Sequence, residues 1–263
     1  MKKTLLATAI AVLSSSAAYA QDYQFEIGAN YTTGDKSSVD YDGYGLNAKL
    51  HLDMVDTSKG PLKEAAFLDK SSYAELQWST QKADSSGAEA TETTVVGGRF
   101  VTSSNIIIEA KYSDLEDDSS IKVGAGTYIN ETMDVVASYT SFDADDNDDD
   151  YSIFSADLHG LNKLEGETAI AFDAGLAYTD YDGASAYTVS AGADYYLNNA
   201  LSIGAGAGFT KIEVDDFDDQ STSTVNIHAD YFVTPIARVG VMYTSLGEDD
   251  DGDSMQINLS LRF

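Results

Sequence analysis

His51, His159 and His228 are the side chains of this sequence best suited to hold a metal or to move a proton near neutral pH. Such a site needs its ligands brought together, yet each histidine lies on the polar side of a separate alternating stretch, at a different expected depth. The chain has no cysteine to join them. They read as polar residues of a sheet face. Serines are too plentiful to mark a nucleophile, and no Ser/His or Asp/His cluster stands out, so no catalytic residue, metal site or cofactor is expected. Acidic runs are the second candidate. In "EDDDGD" (248–253) a glycine follows acids as in a calcium loop, but Asn258 occupies the place of the closing glutamate of an EF-hand. In "DADDNDDD" (143–150) six carboxylates crowd together, and Asp145, Asp146, Asp148, Asp149 and Asp150 could gather divalent cations without fixed geometry. A solvated rim, loose cation binding and a true calcium site all stand at this point.

The elements that carry these residues are strands. "DYQFEIGANY" sets Tyr23, Phe25, Ile27, Ala29 and Tyr31 against Gln24, Glu26, Gly28 and Asn30, and "SMQINLSLRF" alternates in the same way to Phe263. Fourteen such segments can be counted, at about 22–33, 41–55, 71–82, 92–102, 105–115, 119–130, 132–142, 150–162, 167–181, 185–198, 200–214, 221–234, 237–247 and 254–263, or twelve if two weak ones are misread. Short connections ("VTSSN", "NETM", "LNNA", "TPIA") alternate with longer acidic ones ("DLEDDSS", "DADDNDDD", "EVDDFDD", "GEDDDGDS"). That asymmetry predicts an all-β, up-and-down transmembrane barrel with periplasmic turns and extracellular loops. An even strand count lets the last strand pair with the first and removes both edges. Aromatic residues gather near the strand ends, Tyr31, Tyr112, Tyr139, Tyr178, Tyr187 and Tyr243 outside and Tyr23, Phe100, Tyr195, Tyr231 and Phe263 inside, as two girdles at the membrane interfaces.

Parity then assigns a third set of residues. Glu26, Lys49, Glu75, Arg99, Glu109, Lys111, Lys122, Asp173, Asp194, Asp230, Arg238 and Arg262 fall on the polar face. A basic side chain turned to lipid at the midplane would cost about 2–4 kcal/mol, so these groups are expected to line the lumen. They would set a transverse field across a water-filled pore, or pair and fill it. The connection 54–71, with "PLKEAAFLDK", does not alternate. Its Leu62, Ala66, Phe67 and Leu68 would tuck into the inner mouth as a partial constriction, or form a one-turn helix resting on the rim.

Bulk properties close other routes. "MKKTLLATAIAVLSSSAAYA" has a basic start, an apolar stretch and Ala18-Tyr19-Ala20, so residues 1–20 are expected to be a cleaved secretory signal and 21–263 a single barrel domain. Without Lys2 and Lys3, 13 basic residues face 44 acidic ones, a net charge of -31, which excludes a nucleic-acid partner. No apolar run after residue 20 is long enough for a spanning helix.

The leader, the girdled strands and the terminal "LSLRF" resemble Gram-negative outer-membrane proteins, and "GPLKEAAFLDKSS" (60–72) is similar to a stretch of the general porins of marine gammaproteobacteria. The resemblance implies a cell outer-membrane location, contact with the lipid bilayer and lipopolysaccharide, and passive diffusion of small hydrophilic solutes and ions. It also implies that the barrel-assembly machinery reads Phe263, with no catalytic residues to carry over. A monomer and a homotrimer are both compatible with it. The acidic rim favours cations, because charge at a mouth enriches counterions within about 8–10 Å. The alternatives are a structural or adhesive barrel and, more remotely, a barrel hydrolase.

Overall fold

The computed structural model describes residues 22–263, apart from 38, 86–87, 116–117, 145–149, 182, 215–217 and 249–250. The leader expected over 1–20 and Asp145, Asp146, Asp148 and Asp149 therefore lie outside the described residues.

Alternating residues form strands because one face can meet lipid while the other meets water. The described residues form fourteen: β1 (Tyr23–Lys36), β2 (Val39–Val55), β3 (Tyr73–Ala83), β4 (Ala90–Val101), β5 (Ile106–Leu115), β6 (Asp118–Asn130) and β7 (Met133–Ala144) make up one half. β8 (Tyr151–Lys163), β9 (Ala169–Tyr181), β10 (Ala184–Asn198), β11 (Leu201–Val214), β12 (Gln220–Thr234), β13 (Ala237–Glu248) and β14 (Gly252–Arg262) make up the other. Each pairs antiparallel with its neighbours in sequence, and β14 returns to β1, so the sheet is a closed barrel. The closing seam runs from Glu26 opposite Arg262 to Lys36 opposite Gly252. At its inner end the Phe263 carbonyl accepts from the amides of Gln24 and Phe25 at 2.7 and 2.9 Å. Fourteen strands agree with the alternation, and the larger of the two expected counts holds.

Strands of 10 to 17 residues exceed the ~9–11 that cross a bilayer, so several continue beyond it. Part of the acidity expected in outer loops consequently stands on strand ends: β5 and β6 pair as far out as Leu115 and Asp118. The lipid face carries exposed Leu46, Ile121, Leu176 and Ile227. Its outer girdle includes cross-strand pairs of rings, Tyr31 with Tyr44 at 5.1 Å, Tyr139 with Phe154 at 5.0 Å and Tyr178 with Tyr187 at 5.0 Å. Phe100, Tyr195, Tyr231 and Phe263 are exposed at the inner level. Tyr23 departs from its expected place in that girdle. A register shift between Tyr23 and Phe25 turns its ring inward, where it is 1% exposed. An extra residue in a strand flips the parity of what precedes it.

A water-facing lumen and a lipid-facing exterior leave a barrel little conventional core. Among the described residues the buried apolar clusters gather at one place, around residues 56–72, which connect β2 to β3. Leu68 packs with Leu161, Ala169, Ala171 and Tyr196; Ala65 with Tyr23 and Val55; and Phe67 lies against the group of Ile107, Tyr128 and Val136.

Candidate functional site

The connection 56–72 is the anomaly of the inner side, where the other turns hold two to five residues. It folds as a turn of 3-10 helix at Thr57–Lys59, a second at Leu62–Glu64 and a four-residue helix, α1 (Ala65–Leu68). The Asp56 side chain caps the first turn by accepting from the Ser58 amide at 2.8 Å. Gly60 lets the chain pass close beneath Leu68, whose Cδ1 would stand 2.7 Å from an added Cβ. After α1, Lys70 takes a left-handed conformation (φ 52°) that ends the helix.

Contacts to the wall hold this segment as a plug across the inner mouth. Arg262 on β14 donates to the Leu62 carbonyl at 2.7 Å, and the Leu62 amide donates to the Asn199 carbonyl at 2.8 Å. The Lys63 ammonium lies 3.1 Å from Asp194 on β10 and 2.9 Å from Asp230 on β12. Glu64 accepts from the Tyr196 hydroxyl at 2.5 Å and faces His159 Nε2 at 2.9 Å. The Phe67 ring stacks on Tyr128 at 5.5 Å and meets His159 edge-on at 4.3 Å, while the Tyr128 hydroxyl donates to the Phe67 carbonyl at 3.0 Å. Lys70 reaches the turns at Asn105 and Glu131, at 3.1 and 3.0 Å. Inside the plug, Lys59 pairs with Asp69, and Lys163 on β8 donates to the Lys59 carbonyl. Burial opposes the charge of Lys63, but Asp230 and Asp194 outweigh it and hold the ammonium above the ordinary lysine value. The segment joins parts of the two expectations, a one-turn helix that is tucked against the wall: Leu68 is buried and Phe67 packed, while Leu62 gives its backbone to both Arg262 and Asn199.

The strand registers put the charges assigned by parity on one face of the sheet, the face from which Arg262, Asp194 and Asp230 reach the plug. Arg262 Nε meets Glu26 at 2.5 Å, and Glu75 is flanked by Lys49 at 3.8 Å and Lys111 at 2.6 Å. Arg99 binds Glu109 at 3.1 Å and also Asp134. Asp230 faces Arg238 at 3.9 Å as well as Lys63. Asp173 holds His159 Nδ1 at 2.6 Å, and Asp194 holds His228 Nε2 at 2.9 Å. Lys122 sits opposite Lys111 in the β5–β6 register. Most of these charges are thus paired with one another or with the plug. Asp150 is exposed just before β8.

The histidines are separate groups at the plug's margin: His51 Nδ1 lies 2.7 Å from Ser71 Oγ, and the other two serve different carboxylates. Among the described residues no group of three or more His, Cys, Asp or Glu is placed to hold a metal ion. Sequence reasoning missed Lys63, Glu64, Tyr128, Asp134 and Tyr196. The signal available for the wall was Ile107, Val136 and Leu161, apolar residues on the parity of the polar face, which mark where something apolar must dock.

Comparison with known proteins agrees with this architecture. Omp33 of Acinetobacter baumannii is 22% identical over 93% of this chain and all of its own, with a TM-score of 0.69. A bacterial polysaccharide outer-membrane secretin is 11% identical over 92% and 99%, with a TM-score of 0.62. OccK7 (OpdD) of Pseudomonas aeruginosa is 9% identical over 92% and 99%, with a TM-score of 0.51. At these identities the likeness establishes the outer-membrane barrel fold. No curated protein sequence matches the chain. Residues 1–179 match the family described as "putative general bacterial porin", more than half of the sequence, so a closed fourteen-stranded barrel with a charged lumen belongs, by sequence as well as by form, to that family of Gram-negative outer-membrane porins.

Proposed function

We propose that this porin is a passive, non-enzymatic diffusion channel for small hydrophilic solutes and ions, and that it prefers cations. The preference rests on the acidic outer rim, where Asp35, Asp40, Asp42, Asp84 and Asp253 gather on the outward side of the strand ends around a cavity of about 910 Å³, with Lys82 as its basic residue. Carboxylates around a mouth raise the local cation concentration within a Debye length, about 8–10 Å at physiological salt. The paired charges further in carry both signs and leave that bias standing. In this reading residues 1–20 are the cleaved leader, 21–263 the single barrel domain, and Phe263 the residue read during assembly. The acidic rim would face lipopolysaccharide through shared divalent cations.

The reversal potential across a potassium chloride gradient tests the preference, and a sign indicating anions refutes it. A second reading, a closed structural barrel, is favoured by the plug alone. Planar-bilayer recording of the refolded protein separates the two. Conductance steps are expected in wild type, and larger ones where a Gly-Ser turn replaces residues 57–70. Their absence from both proteins would leave the structural barrel.

A further inference from the structure

Directly above the row formed by Arg262, Glu26, Lys49 and Glu75, the wall made by β14, β1, β2, β3 and β4 changes character. The register places three successive lumen positions on each of these five strands, and none of them carries an ionisable side chain. Six are amides: Asn30, Asn47, Gln77, Gln81, Gln256 and Asn258. Five of these six line one cavity of about 750 Å³. That volume falls within the ~300–1,000 Å³ of small-molecule sites. Where the same depth is reached between β10 and β11, the lumen shows Gly192, Gly206, Ser190 and the hydroxyl pair Thr188–Thr210 instead.

Two of the amides are seated by glycine. Asn47 lies over Gly28 and Asn30 over Gly45, a reciprocal pair across the β1–β2 seam, and a Cβ at either glycine would collide with the amide above it. The side chains are thus drawn flat along the wall. Both line the cavity, in contrast to the carboxylates and cations below, which hold one another.

We infer that this wall is a subsite for neutral, hydroxyl-rich solutes of the sugar class. An amide offers paired N–H donors beside a carbonyl acceptor, which matches a hydroxyl that both donates and accepts, and matches adjacent hydroxyls best. An ion gains little from the three uncharged rows, since the charged residues of the cavity, Lys49 and Glu75 at one end and Glu89 at the other, flank them. Tyr41 lines the outer part of the same cavity and offers a ring to the C–H face of a sugar. Each contact replaces one made with water, so binding is weak, with a dissociation constant on the order of millimolar, and the solute can leave as a channel requires. The inference gives a substrate class to the diffusion channel proposed above and rests on that reading.

The test is saturation-transfer NMR of the folded barrel in detergent micelles with sucrose as probe, beside sodium chloride conductance of the same preparations. Sucrose should receive saturation from wild type. Its affinity should fall at least fivefold in Asn30→Ala/Asn47→Ala/Gln77→Ala and stay unchanged in Thr188→Ala/Thr210→Ala on the other wall. If the triple variant fails to give the heat-modifiable folded band, Gln77→Leu/Gln81→Leu replaces it, since both of those side chains are exposed. No transfer to wild type, or equal affinity in the amide variants, overturns the subsite even where salt conductance is normal. Sucrose binding without salt conductance would instead sustain the subsite and count against the channel.

Discussion

At Lys63 one ammonium satisfies two carboxylates from strands that are not neighbours, Asp194 at 3.1 Å and Asp230 at 2.9 Å. His228 and Arg238 also approach those acids, so removing Lys63 leaves them only partly compensated. Breaking a buried pair costs about 3–5 kcal/mol, and with 24% of the Lys63 side chain exposed the loss here should be nearer 1–3 kcal/mol. Lys63→Ala is therefore expected to loosen the plug and raise single-channel conductance or the frequency of openings, while Lys63→Arg keeps wild-type behaviour. Equal recordings for Ala and wild type would remove the latch. Because the folded state raises the lysine pKa, the stabilisation is complete below the ordinary value of about 10.4 and is lost only as pH rises through the higher folded value. Conductance set by this contact should thus stay flat from about pH 7 to pH 10.

At the scale of elements, the plug holds its shape through a ring as well as through charge. Phe67 contacts Tyr128 and His159 from two strands at once, and its truncation should cost about 2–4 kcal/mol of docking. Trypsin added to the folded barrel is expected to cut Phe67→Ala at Lys59, Lys63 or Lys70 several times faster than wild type; unchanged cleavage would mean that α1 stays docked without the ring. The strands themselves are legible in the residue order, because period-two alternation is imposed locally by lipid on one side and water on the other. The same alternation assigns the twelve charges expected in the lumen to a single face of the sheet. Tyr23 is not legible in that way, since a bulge leaves no mark in composition. Nor are the plug's partners: Leu62 meets Arg262 across 200 positions, and no local pattern encodes a contact at that distance. The apolar Ile107 and Leu161 on a polar parity announce that something docks there without saying what.

Over the whole molecule the decisive quantity is charge, -29 in all, with much of the acidity at the outer end. Self-repulsion among Asp143 to Asp150 is relieved by ions, and divalent cations neutralise several carboxylates at once through oxygen ligands. We expect millimolar calcium on the loop side to lower conductance relative to sodium at equal ionic strength. Changing Asp145, Asp146, Asp148 and Asp149 to Asn should weaken the effect, and identical currents in the two salts would reduce these loops to a solvated rim. The plug also has a history in time. Residues 56–72 lie between the second and third strands, whereas the side chains that hold them arrive with β6, β8, β10, β12 and β14. A chain built from its N-terminus carries the stopper long before it has a bottle. Docking can finish only when Arg262 has reached Leu62, and by then β14 is beside β1, so seating of the plug and closure of the wall become one late event of assembly.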